Sequence, residues 1–359
     1  MLPRAPFPKA ERRRRFPLTT TPTVQWLLKP RRHAKTVTRS TWTNPLVLLV
    51  AFILTASFLL CAEARPLPVL LIYGFQPLPG FRTTPLWENF AEYLTGNSIV
   101  NTQTLKISSD HEFYLLPAVD EQRRDVYMSN YCLSYEPTTR DLFFYERRLV
   151  DEIKYMATQF DVETFDVVGH SMGGLIARAY AETADFDSVI GTDLFHDYGI
   201  AYGGEIRTLV LIATPNHGTS IAEIGDWFNI LSRQLTPESE FLSLLNSDRM
   251  IDGSLTSLNP SIRYVSLAGQ TCLGCGLRAD KSNCLEECVR DALVWDGSDL
   301  VVMMASAYLP EAENCAIIGF DHVQSHTDVL IAQAVETILN DNYLPVAIYS
   351  LKLQSYQPD

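Results

Sequence analysis

The chain predicts an α/β fold: a mostly parallel sheet flanked by helices, with a small helical cap. Three observations carry that expectation. Apolar, β-branched runs alternate with helical patterns from residue 66 onward, as in sheets covered on both faces. One stretch, Asp166 to Ala181 (DVVGHSMGGLIARAYA), runs from an apolar segment through a glycine-flanked turn straight into helical spacing. The 359 residues, 47% of them hydrophobic, also suffice for one large core.

Residues 1–64 stand apart from that core. Up to Asn44 the chain is basic and punctuated by proline, with Arg12 to Arg15 and Lys29-Pro30-Arg31-Arg32. Pro45 to Ala64 (PLVLLVAFILTASFLLCAEA) is then apolar. The expected reading is a secretory signal, with a small-x-small cleavage site at Ala62-Glu63-Ala64 and a mature start near Arg65. The apolar run, roughly 19 residues, is also long enough for an uncleaved membrane anchor, and Cys61 offers a lipidation site. Either way the positive flank stays inside, so the body at 65–359 is expected to be secreted or extracytoplasmic. Eleven Lys/Arg fall in residues 1–64 against two acids, which leaves the body 18 basic and 40 acidic residues, a net of −22. Such a surface repels nucleic acid and gives no support for a nucleic-acid partner.

Along the body, Val69 to Tyr73 predicts a buried strand and Pro85 to Leu94 (PLWENFAEYL) an amphipathic helix. Asp125 to Leu133 alternates like a strand. Thr139 to Phe160 places apolar residues at three- and four-residue spacing, a long helix. After the Asp166–Ala181 unit, Arg207 to Ala213, Ile262 to Ala268 and Ala316 to Phe320 predict strands, and Thr327 to Leu339 a closing helix. Two stretches interrupt the rhythm. Residues 218–259 carry short amphipathic patterns rich in Trp227, Phe228, Phe241 and Leu245, suited either to a cap over a site or to two helices packed on the sheet. Residues 269–292 form a cysteine-rich loop.

Beyond Cys61 there are six cysteines: Cys132, Cys272, Cys275, Cys284, Cys288 and Cys315. In an exported body they predict disulfides of unspecified pairing. The run from Cys272 to Cys288 also has zinc-like spacing. None of them reads as catalytic, and no cofactor or catalytic metal is expected.

The chemistry concentrates in Gly169-His170-Ser171-Met172-Gly173. A G-x-S-x-G sequence between a strand and a helix holds its serine in a sharp, strained turn, and its flanking glycines let the chains approach closely. The hydroxyl stands above the sheet, and the following helix turns its first N–H groups toward any oxyanion formed there. A serine so placed needs a base, because its hydroxyl barely ionises near neutral pH, and the base needs an orienting carboxylate.

Of seven histidines, His33 falls in the leader, and His111 and His196 sit in polar stretches expected to be solvated. His170 occupies the variable elbow position, and His217 reads as cleft lining. His322 and His326 both follow the last strand, where the base belongs, and the junction of His326 with the closing helix favours His326. The acid should lie after Ile262 to Ala268, where Asp296 and Asp299 compete and order alone does not separate them. The oxyanion donors are expected to be the backbone N–H groups of Met172 and Phe75.

With these residues assembled, the body resembles the α/β-hydrolase superfamily, within it the secreted lipase group related to triacylglycerol lipases and GPI inositol-deacylases. The resemblance lies in Pro68–Phe75 (PVLLIYGF), Val167–Tyr180 (VVGHSMGGLIARAY), Leu209–Ser220 (LVLIATPNHGTS) and the C-terminal Asp…His region. It implies Ser171 as nucleophile, His326 as base and Asp299 as the acid, by spacing from Ser306-Ala307, with Leu300 where glycine is usual. Tyr73 stands where these proteins commonly carry histidine. The implied activity is hydrolysis of lipid-like esters through an acyl-enzyme, with a lipid or small ester as partner and transient contact with a lipid surface through the cap. Acyl transfer or thioester hydrolysis would use the same three residues, and an inactive extracellular binding protein would share the fold.

Overall fold

The computed structural model describes residues 65–74, 86–130, 141–182, 202–223, 233–251, 254–271, 297–342 and 347–349. Chain contacts divide the protein after Glu63, and every described residue lies in the second unit, Ala64–Asp359. The expected leader, with the apolar run 45–64, lies outside the described residues. Among the described residues no helix is long and apolar enough to cross a membrane.

The expected strands form one sheet because each is apolar on both faces and each is covered twice. In β1 (Val69–Ile72), Leu70 and Ile72 enter one core cluster while Val69 and Leu71 enter the other. The same alternation runs through β5 (Phe165–His170) and β6 (Ile206–Ile212), where Leu209 and Leu211 face one way and Val210 and Ile212 the other. Helix α1 (Glu88–Thr95) and the closing α7 (Val329–Leu339) share the second cluster. Helices α2 (Leu142–Phe160), α3 (Met172–Glu182) and α4 (Glu240–Leu245) share the first, and the short α5 (Met304–Ala307) enters a third, smaller cluster.

With β2 at Gln103–Lys106, β3 at Glu112–Leu116, β4 at Val126–Met128, β9 at Arg263–Gln270, β10 at Glu313–Ile318 and β11 at Ala347–Tyr349, nine strands among the described residues pair in the order β11-β10-β9-β6-β5-β1-β4-β3-β2. From β4 (Val126–Met128) to β11 every pairing is parallel. After β4 the chain crosses β1 to set β5 on its other side, and the later strands add outward from there. Ligand sites of open α/β sheets sit at such a reversal, outside the carboxyl ends of the strands, and Ser171 follows the last residue of β5.

Three departures from expectation have local causes. The antiparallel edge strands β2 (Gln103–Lys106) and β3 (Glu112–Leu116) have no counterpart in the sequence reading, because β2 exposes three of its four residues and carries no apolar run. Helix α2 begins at Leu142 because the Asp141 side chain accepts the Phe144 N–H at 2.9 Å, a helix N-cap. In the stretch read as a cap, α4 is followed by a hairpin of β7 (Arg249–Ile251) and β8 (Ser254–Thr256). The Phe241 ring of α4 packs edge-on against Phe143 of α2 at 5.6 Å. Residues 224–232 lie outside the described residues.

Opposite the site, at the start of β5, the buried Asp166 accepts hydrogen bonds from Arg124 at 3.1 Å and from Arg207 at 2.9 and 2.8 Å. Both arginines also donate to the Leu339 carbonyl at the end of α7. A buried carboxylate is tolerated when its charge is matched this fully, and here the match fastens three elements at the end of the sheet remote from the serine.

Candidate active site

Ser171 has a φ of 55°, one of seven described non-glycine residues with positive φ. Such backbone costs on the order of 1–3 kcal/mol and persists only where its surroundings over-determine it. Here the Ser171 N–H donates to the Ile212 carbonyl of β6 at 2.9 Å, and its own carbonyl accepts the Gly174 N–H at 3.1 Å. A Cβ on Gly173 would come within 2.3 Å of the Ile72 carbonyl oxygen, so only glycine lets α3 start this close to β1.

The Ser171 hydroxyl lies 2.9 Å from Nε2 of His322, and Nδ1 of that ring lies 2.7 Å from Oδ2 of Asp299. A carboxylate only accepts, so Nδ1 carries the proton and Nε2 is left to accept from the serine. Asp299 is fully buried, and its Oδ1 accepts the N–H groups of Val301 at 2.9 Å and Val302 at 2.7 Å. The orienting oxygen is thereby kept for the imidazole. Leu300, in the turn between, has a φ of 83° and remains 52% exposed, so a leucine holds the backbone shape that suits the glycine usual in the resembled family.

This arrangement corrects the sequence expectation for the base: His322, not His326, joins the serine to the acid. The cause is local. Asp321 staples the turn before the short helix α6 (Gln324–Thr327), its Oδ1 accepting the N–H groups of Val323 and Gln324 at 3.0 and 2.8 Å. His322 stays in the preceding loop, its N–H bonded to the Asp299 carbonyl at 3.0 Å, and its ring reaches the serine. His326 lies one helical turn further on and is fully buried, with neither ring nitrogen hydrogen-bonded. Its ring sits 4.0 Å from that of His170, 4.9 Å from Tyr73 and 5.4 Å from Trp87. Burial, with the neighbouring His322, pushes its pKa down to about 3.

The other expected residues fall as follows. Met172 opens α3, where a helix leaves its first N–H groups without intrahelical partners. A Cβ on Gly74 would lie 2.7 Å from the Ser171 Cβ and 3.0 Å from the Met172 nitrogen, so the loop leaving β1 passes directly over the serine. Phe75, the second expected donor, lies outside the described residues, as do Asp296, His196 and the cysteines 132, 272, 275, 284 and 288. Cys315 is a buried thiol in β10 whose pKa burial raises to about 12. Among the described residues no group of histidine, cysteine and acidic side chains could hold a metal ion.

Two further histidines are informative. His111, expected to be solvated, is buried, and its Nε2 lies 3.1 Å from the buried Glu152. His217 is solvent-exposed beside Asn246, its Nδ1 3.4 Å from that amide nitrogen. The neighbouring Asn216 accepts from the buried Arg178 of α3 at 3.1 Å and donates to the Ala307 carbonyl at 2.8 Å. The Ala-Thr-Pro-Asn segment thus fastens α3 to the chain that follows the acid. His170, read from sequence as the variable elbow position, donates to the carbonyl of His322, a contact no sequence signal announces.

Residues 143–275 match the lipase (class 2) family. Solved structures similar to this chain include the mature lipase BlEst2 of Bacillus licheniformis, 15% identical over 77% of this chain and 93% of that one, TM-score 0.48. Another is a gene product of Listeria innocua, 14% identical over 79% and 98%, TM-score 0.46. A third is the metagenomic carboxyl esterase MGS0156, 12% identical over 78% and 77%, TM-score 0.42. No curated protein matches the chain. The sheet reverses at β1 and delivers a strained serine from β5, and the segment that carries this serine is similar to the class 2 lipases.

Proposed function

We propose that the protein is a serine carboxylic-ester hydrolase acting on lipid-like esters through an acyl-enzyme. The observation that carries this reading is the continuous path from the Ser171 hydroxyl through His322 to Asp299, with separations of 2.9 and 2.7 Å. His322 takes the serine proton as Oγ attacks the ester carbonyl, then returns it to the leaving alcohol. Asp299 keeps the imidazole in the Nδ1–H tautomer and stabilises the imidazolium that forms. Water, activated by the same ring, then releases the acid and frees the serine. The Met172 N–H and a partner from the loop after Gly74, Phe75 by sequence, would receive the oxyanion, each worth about 3 kcal/mol in the transition state.

The lipid preference rests on the class 2 lipase match. Export rests on the apolar run 45–64, and contact with a lipid surface through the 218–259 insertion on its large apolar residues. Ser171→Ala should abolish both hydrolysis of p-nitrophenyl acyl esters and labelling by a fluorophosphonate probe. Undiminished turnover by that variant would end the proposal. A series of acyl lengths tests the substrate class, and a sharp optimum at acetyl would replace the lipid reading with a small-ester one.

A further inference from the structure

The base has no helix to hold it, yet both of its backbone polar groups are engaged. The His322 N–H donates to the Asp299 carbonyl at 3.0 Å. The His322 carbonyl accepts twice, from the Ser325 hydroxyl at 2.8 Å and from His170 Nε2 at 2.9 Å. The Ser325 contact is local, three residues along the same turn. The His170 contact spans 152 residues and joins the nucleophile's own neighbour to the loop that carries the base.

A carbonyl oxygen only accepts, so His170 must carry its proton on Nε2. Its Nδ1 is buried without a hydrogen-bond partner, which suits a bare lone pair better than a second N–H. The ring is 1% exposed and is packed against Tyr73 at 5.3 Å, His326 at 4.0 Å and His322 at 4.7 Å. Burial, reinforced by His326 and His322, lowers its pKa well below the ordinary range. It is therefore a neutral donor held in a single orientation.

We propose that His170 is a positioning residue for catalysis, its Nε2–H fixing the His322 carbonyl and with it the reach of the base to Ser171. A side chain one residue before the nucleophile thus sets where the base stands, so the elbow controls two members of the triad at once. This rests on the reading of His322 as the base.

The test compares His170→Phe, which keeps the ring's bulk without the donor, with His170→Gln, whose amide can place an N–H near the Nε2 position. On p-nitrophenyl butyrate, His170→Phe should lower kcat about tenfold with KM unchanged, the scale of one lost hydrogen bond. His170→Gln should recover most of that loss. Wild-type kcat in the Phe variant, or a Gln variant as slow as the Phe variant, overturns the inference. Nitrogen NMR of the wild-type imidazoles supplies a readout independent of how the variants fold. His170 should appear as the Nε2–H tautomer at neutral pH, and the Nδ1–H tautomer overturns the inference by itself. His322→Ala separates the two levels: if it stays active, the base assignment fails and the inference with it. If it is dead while His170→Phe runs at the wild-type rate, only the inference fails.

Discussion

Two histidines four residues apart compete for the role of base, and replacing each in turn gives opposite expected results. In His322→Ala both polar links of the ring are lost, the one to Ser171 and the one to Asp299. A positioned general base contributes about 10²- to 10⁴-fold, so kcat/KM should fall by that factor, about 3–5 kcal/mol of transition-state stabilisation. In His326→Phe no hydrogen bond is lost, because neither ring nitrogen has a partner. The removed imidazole leaves two buried nitrogens fewer to desolvate, a gain of about 1–3 kcal/mol. Fitting a larger ring among His170, Tyr73 and Trp87 costs a similar amount. The two terms nearly cancel, so the melting temperature should stay within a few degrees and activity within a few fold. Steady-state kinetics on p-nitrophenyl butyrate, with thermal melts of both variants, decide the matter. An inactive His326→Phe enzyme that melts like wild type, beside an active His322→Ala, would refute the reasoning.

The same burial predicts acid lability. An unfolded His326 takes up its proton near the ordinary value of 6.5, whereas the folded one does so only near 3. Between those values the unfolded state binds more protons, so stability is complete above 6.5 and falls as pH drops toward 3, by about 1.4 kcal/mol per unit for this group. His170 acts in the same sense. Melting temperature against pH should therefore fall less steeply in His326→Phe than in wild type, and parallel curves would remove His326 as the cause. Gly74→Ala should cost about 100-fold in kcat/KM, since its Cβ would stand 2.7 Å from the Ser171 Cβ and the loop must retreat; an unimpaired variant would show that this approach is not needed. Leu300→Gly should raise stability by about 0.5–1 kcal/mol in a denaturant titration while activity is kept. Relief of the 83° φ outweighs the added chain entropy, and the half-exposed side chain gives up little burial. A destabilised variant would mean that the leucine side chain carries packing its exposure hides.

The features legible in the chain alone are those written in short-range pattern. Val69–Ile72, Phe165–His170 and Ile206–Ile212 are apolar on both faces and had to be central strands. The glycines around Ser171 specify a turn that few other residues can make, so the elbow and its serine were legible locally. Pairing preferences between distant segments leave weaker marks. The polar edge strand Gln103–Lys106 takes its structure from its partner Glu112–Leu116, and no run of its own announced it. Tertiary structure alone decided which histidine meets the serine. His322 and His326 differ by about one helical turn, and what separates them is the Asp321 staple and the aromatic pocket that receives His326. Both acceptor oxygens of the acid are likewise filled by folding, with two amides of its own turn on Oδ1 and the ring 23 residues on at Oδ2. The link from His170 to the His322 carbonyl joins positions 152 residues apart, and only the packed sheet brings them within hydrogen-bond reach. A triad is a distance relation among three loops, and distances between loops are set by how the strands beneath them pair.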